Sequence, residues 1–259
     1  MLQSTKPISH RRMAVLIDGD NAQAKLVKHI LSEASKYGTV TVKRNYGDWT
    51  TTNMNGWKDT LNTYAIQPIQ QFRYTIGKNA TDSAMIIDAM DLLYSGTVDA
   101  FCLVSSDSDY TRLATRIREK GFFVMGIGQK KTPRPFVNAC DVFVYTENIE
   151  PKKPARRSSR SRKSTTKQKE EPPTPSALPL LKQAFENAVG EDGWAFLGAL
   201  GHHLRQLDPG FDARTYGHPQ LSALLHAHTR SFDIREAALP DGNSSIYVRL
   251  KSSKGKGSN

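Results

Sequence analysis

Two uninterrupted apolar runs, Met13–Ile17 and Ala100–Val104, leave no polar face for water if either forms a strand. Strands of that kind must be covered on both sides, which calls for a mainly parallel sheet between layers of helices. The residues around them supply the layers. Asn21–Tyr37 sets Ala24, Val27, Ile30, Leu31 and Ala34 at helical spacing and stops at Gly38. Thr39–Tyr46 reads as a strand, Trp57–Tyr64 as a helix and Ile66–Phe72 as extended chain. Thr81–Tyr94 is the strongest helical pattern, with Ala84, Ile87 and Met90 along one side. Tyr110–Lys120 follows as a helix, then Phe122–Ile127 and Val142–Tyr145 as strands. Residues 1–150 are thus expected to form one α/β domain.

Residues 151–175 have no large apolar side chain and are dominated by Pro, Ser, Thr and basic residues, the composition of a disordered linker. They hold nine Lys/Arg against two Asp/Glu, so +7 of the chain's net +11 sits there. A polyanionic partner, nucleic acid first, is the implication. Residues 176–250 then show helical patterns at Leu178–Ala188, Ala195–Leu207 and His218–His228. The strands Phe232–Ala237 and Ile246–Leu250 follow, joined through the hairpin signal Asp241-Gly242-Asn243. Three helices and a hairpin are the order of a winged helix, a small α+β domain. Residues 251–259 form a flexible basic tail. Cys102 and Cys140 sit in apolar contexts and read as core, without CxxC spacing. The apolar run after His10-Arg11-Arg12 is too short for a signal peptide, and no stretch reaches membrane-spanning length, so the expected location is cytoplasmic.

Both buried runs end in acid. The first leads into Asp18-Gly19-Asp20-Asn21 and the second into Ser105-Ser106-Asp107-Ser108-Asp109, while Asp82 opens the helix after Gly77-Lys78-Asn79-Ala80. In an open parallel sheet, functional groups gather at the carboxyl ends of the strands. Carboxylates brought together there repel unless a cation neutralises them, and an all-oxygen set suits Mg²⁺ or Mn²⁺. Each acid also has a structural reading: Asp18 supporting the glycine turn, Asp20, Asp107 or Asp109 capping a helix, Asp82 complementing a helix dipole.

Ile17-Asp18-Gly19-Asp20-Asn21, Lys78-Asn79-Ala80-Thr81-Asp82 and Ser105-Ser106-Asp107-Ser108-Asp109-Tyr110 resemble the three motifs of the NYN family, a branch of the PIN-like nucleases, over about residues 12–148. Residues 176–250 resemble the OST-HTH or LOTUS domain, through Asp212-Ala213-Arg214-Thr215-Tyr216-Gly217 and Ile246-Tyr247-Val248-Arg249-Leu250. The resemblance implies a metal-dependent ribonuclease with Asp18, Asp82 and Asp107 as metal ligands. Asn21 would orient Asp18 or a water, and Asp109 would act behind the ligands or on a second ion. It also implies a C-terminal module that binds RNA or a partner protein.

Candidate RNA contacts are Lys78, Ser105 and Ser106 beside the acids, Arg44, the basic stretch with Lys130, Lys131 and Arg134, and Arg214 in the second domain. Single-stranded or structured RNA would serve as substrate. Trp49 and Trp57 are candidate stacking rings, although tryptophans more often belong to a core. His202, His203, His226 and His228 do not share a helical face as a metal set would. Two rival functions stand beside the nuclease. One is a haloacid-dehalogenase-type phosphatase using Asp18 and Asp20, a family that expects Thr or Val where this chain has Ala22. The other is a non-catalytic RNA-binding adaptor.

Overall fold

Strand β1 (Arg12–Asp18) is buried from Met13 to Asp18 and lies hydrogen-bonded between β2 (Thr39–Gly47) and β4 (Ala100–Val104). With β3 (Gln67–Gln70), β5 (Phe123–Gly128) and β6 (Val142–Tyr145) it forms a six-stranded sheet, parallel at every pairing, in the order β3-β2-β1-β4-β5-β6. The two apolar runs are thus the adjacent central strands, as their two-sided hydrophobicity requires. The computed structural model describes residues 11–72, 80–150, 176–238 and 244–251. They divide into two compact units, one with this sheet and Asp208–Gly210, the other made of the remaining residues after Glu150.

Strand alternation sorts the first unit into two cores. Ala14 and Leu16 of β1 and Phe101 and Leu103 of β4 pack with helices α3 (Ala80–Ser95), α4 (Thr111–Glu119) and α5 (Arg134–Ala139). Met13, Val15 and Ile17, with Cys102 and Val104, pack on the other face with α1 (Val27–Ala34) and Trp57, which precedes α2 (Lys58–Tyr64). The short α6 (Thr146–Ile149) follows β6. Two expectations are corrected here. The helix expected from Asn21 starts later, as a 3-10 turn at Ala24–Leu26 leading into α1, because Asp18 O accepts the N–H groups of both Asn21 and Ala22 and holds them in a turn. The segment after Gln129 is a loop only as far as Pro133; Arg134 opens α5, with Pro135 within its first two positions, where proline costs no helical bond.

The second unit has α7 (Leu178–Ala188), α8 (Leu197–Leu207) and α9 (Leu221–His226). Its small antiparallel sheet contains β7 (Ala195–Phe196), β8 (Phe232–Ala238) and β9 (Ser244–Leu250), in the order β7-β9-β8. Leu181, Leu200, Leu224, Phe232 and Val248 are buried together as its core. The helix expected to begin at Ala195 begins at Leu197, because Ala195 and Phe196 pair instead with Val248 and Tyr247. The third helix, expected over His218–His228, spans only Leu221–His226, because Gln220 before it is extended; ahead of it Asp212 caps a separate 3-10 turn, Ala213–Tyr216, that ends at Gly217 in the left-handed region. The linker 151–175, the hairpin signal at Asp241–Asn243 and the tail beyond Lys251 lie outside the described residues. Among the described residues, no helix is long and apolar enough to cross a membrane.

Candidate active site

The chain leaves β1 towards β2 and β3 on one side, then returns to build β4, β5 and β6 on the other. The connections therefore diverge at the carboxyl ends of β1 and β4, opening the crevice where ligands bind in sheets of this kind. Asp18 is the last residue of β1 and Ser105 the first after β4. Alternation puts Asp18 on the face of Ala14 and Leu16, and Ser105 on the face of Phe101 and Leu103, so both side chains enter the same side of the crevice.

There they meet. The Ser105 hydroxyl donates to Asp18 Oδ2 at 2.8 Å and accepts from the Asp107 N–H at 3.0 Å. The Asn21 amide donates to the same Asp18 oxygen at 2.6 Å. Asp18 is 1% exposed and Ser105 3%, so the bond between them forms away from bulk water, where such bonds are strongest. Asp107 Oδ1 accepts from the Asp109 N–H at 2.9 Å and caps a 3-10 turn, Ser108–Tyr110, leading into α4. Asp107 therefore has the structural role its position suggested, and it still stands half-buried at the crevice beside exposed Asp109. Ser106 Oγ accepts from the Gln129 N–H at 2.9 Å and ties the end of β4 to the end of β5.

Glycine makes this closeness possible. A Cβ on Gly19 would stand 2.4 Å from Asn45 Oδ1 and 2.9 Å from Tyr46 O, and one on Gly128 would stand 2.5 Å from Ser105 O. A small cleft adjoins the site, its polar lining including Asn21, Gln23, Ser105, Ser106, Gln129 and Thr146.

The remaining expected residues are dispersed differently. Asp82 lies in the first turn of α3, three residues before fully buried Met85, and its side chain is outside the described residues, as is Lys78 altogether. Exposed Lys130 and Lys131 follow β5 on the same sheet edge as the acids, and the Lys130 backbone is held by the Glu147 carboxylate at 2.9 Å. Arg134, at the start of α5, pairs with Asp208 of the same unit at 3.2 Å. Arg44 of β2 is ion-paired at 2.5 Å with Asp88 of α3, which also accepts from Tyr46 Oη. Burial, then the bond to Asp88, raises the Tyr46 phenol above its ordinary pKa. Arg214 is chelated by the Asp212 carboxylate, at 2.7 Å from Nη2.

Neither tryptophan offers a platform in the first unit: Trp57 is core, and Trp49 is half-buried with its indole N–H on Ile69 O. Cys102 and Cys140 are buried thiols, each raised in pKa by burial. His203 faces Gln206, and His228 contacts Leu224 O. Ser105 was a candidate either for donating to a phosphate or for a turn; its single proton is given to Asp18. The signal was present, since Ser105 continues the inward series Phe101, Leu103.

Residues 12–149 match the NYN domain, and residues 177–241 match the OST-HTH/LOTUS domain. An uncharacterized protein of Methanocaldococcus jannaschii is 26% identical over 139 residues, 49% of this chain and 51% of its own length, so the chain spans about half the curated relative it matches. Among solved structures, a protein of unknown function from Vibrio parahaemolyticus is 18% identical with a TM-score of 0.45, covering 54% of this chain and 96% of its own. An uncharacterized protein of Nitrosomonas europaea, determined by NMR in solution, is 30% identical with a TM-score of 0.31, covering 39% of this chain and all of its own. With the first match covering its whole parallel sheet, the chain belongs to the NYN family, with its PIN-like nuclease fold, and carries an OST-HTH/LOTUS domain after it.

Proposed function

We propose that the protein is a ribonuclease that hydrolyses RNA phosphodiester bonds with Mg²⁺ or Mn²⁺ at the β1/β4 crevice, and that its second unit binds RNA. The observation that carries this reading is buried Asp18, held by Ser105 and Asn21 at the point where the sheet's connections diverge. The donor chemistry fits a hard cation. Asp18, Asp107 and Asp109 offer only oxygen, and no cysteine or histidine intrudes among the residues lining the neighbouring cleft. Among the described residues, no three potential ligands stand close enough to hold an ion, so the set needs Asp82, water or the phosphate itself.

Asp18 and Asp107 would hold the ion, with Asp82 completing the set. A divalent ion bound there supplies charge neutralisation for the phosphate and acidifies the attacking water. Ser105 and Asn21 keep Asp18 in one orientation by converging on one of its oxygens. Exposed Asp109 would steer a water or a further cation, and Ser106 would fix the spacing of the β4 and β5 ends. Lys130 and Lys131 would contact the RNA backbone from the same edge, with Lys78 and Arg134 as further contacts. Attack by water in this arrangement would leave a 5′-phosphate and a 3′-hydroxyl.

The test is cleavage of single-stranded and structured RNA by the purified chain with Mg²⁺ or Mn²⁺. Asp18→Asn should lower the rate by more than the roughly 10–100-fold typical of a residue behind a metal ligand, and EDTA should stop cleavage. RNA left intact by wild type in Mn²⁺, though still bound, would establish the adaptor reading instead. A phosphoryl group captured on Asp18 would establish the phosphatase.

A further inference from the structure

The small sheet of the second unit has one covered face and one open face. Ala195, Phe232 and Val248 point inward and are buried. On the open face Phe196, Tyr247 and Arg235 are paired in register across three strands, Arg249 and Asp233 form the row on one side of them, and Ala237 with buried Ser245 the row on the other. Trp194, just before β7, packs with both arginines, Arg235 Cζ lying 4.5 Å and Arg249 Cζ 4.7 Å from its ring centroid. Arg235 also lies 5.4 Å from the Tyr247 ring, and Phe196 stands 5.8 Å from Tyr247 while remaining 46% exposed. Alternating aromatic and guanidinium planes on one open face are what a run of unpaired bases stacks on.

Charge points to the same occupant. Arg249 and Lys251 both pair with Asp233, at 3.1 and 3.4 Å, so the only acid in these rows is already neutralised. Arg235 contacts two rings and, among the described residues, no carboxylate, which leaves its N–H edge for phosphate. The alternative route, a recognition helix in a groove, is poorly supported here. Helix α9 has only six residues, and side chains do not read the deep, narrow major groove of A-form RNA.

We infer that the open face of the β7-β9-β8 sheet binds single-stranded RNA by stacking bases on Phe196 and Tyr247 within the Arg235–Trp194–Arg249 array. This rests on reading the second unit as an RNA-binding module. Duplex RNA, whose base faces are hidden, is a poor ligand for such a face.

The test uses the full chain in EDTA, so that no RNA is cut, and fluorescence anisotropy with a short unstructured RNA and the same sequence as a duplex. Phe196→Ser and Arg235→Gln change exposed side chains, and circular dichroism melting checks that the unit stays folded. A base stack contributes about 1–3 kcal/mol, so the double variant should bind the single strand about 5- to 150-fold more weakly. Arg235→Lys keeps the charge and loses the plane; it should also weaken binding, which a purely electrostatic surface would not show. Folded variants that bind as wild type does overturn the platform alone, as does equal affinity for the duplex. A wild-type chain that binds neither RNA overturns the RNA reading of the whole unit. Binding of poly-glutamate that is lost in the same variants would assign the face to an acidic protein partner instead.

Discussion

Ser105 shows how much one hydroxyl decides. It gives its proton to a buried carboxylate and takes an N–H from the loop carrying Asp107, so both proposed ligands depend on it. Ser105→Ala should slow RNA cleavage about 10–100-fold, the range for residues that orient a ligand. It should also lower stability by about 1–3 kcal/mol, because a buried polar group loses a partner. Asn21→Ala removes the other donor to the same oxygen, so the two effects should not multiply. Single-turnover cleavage rates for the two variants and the double, at saturating Mn²⁺, measure that coupling. Fully multiplicative losses would show that the residues act apart and do not jointly hold Asp18.

At the scale of elements, β2 and α3 are clamped by Arg44 and Tyr46 converging on Asp88. The sign of the pH effect follows from Tyr46. Its folded pKa is raised by burial and by Asp88, while in the unfolded chain it titrates near the ordinary value of about 10. Its contribution is therefore complete below about pH 10 and is lost as pH rises beyond it, where the unfolded chain releases the proton first. Tyr46→Phe should be less stable than wild type at pH 7 and lose stability less steeply above pH 10. Denaturant unfolding across pH 7–11 checks both. The clamp also explains why Arg44 looked like a nucleic-acid contact: strand periodicity exposes an arginine to view without showing which helix crosses above it.

For the whole molecule, most of the net positive charge, +7 of +11, lies in residues 151–175. Replacing Lys152, Lys153, Arg156, Arg157, Arg160 and Arg162 with Gln should weaken RNA binding and flatten its dependence on salt. The slope of log affinity against log salt should fall by up to about 0.7 for each side chain that contacts a phosphate on a single strand. Anisotropy titrations at several salt concentrations read the slope, and an unchanged slope would mean the RNA passes elsewhere. The sheet-face substitutions remove stacking as well as charge. Phe196→Ser should therefore weaken binding at every salt concentration with little change in slope.

Local pattern was enough to determine that Met13–Ile17 and Ala100–Val104 are strands covered on both faces, that helices supply the covering layers, and that each run leads into a loop carrying aspartate. Burial on two faces and helical spacing are written in neighbouring residues. Which strands adjoin is not. The pairing of β1 with β4, the meeting of Asp18 with Ser105, the locking of Arg44 on Asp88 and the transfer of Ala195–Phe196 from helix to sheet all join residues distant in sequence. Only long-range packing sets strand order and register, and those two quantities decided where the charges and rings of this protein come together.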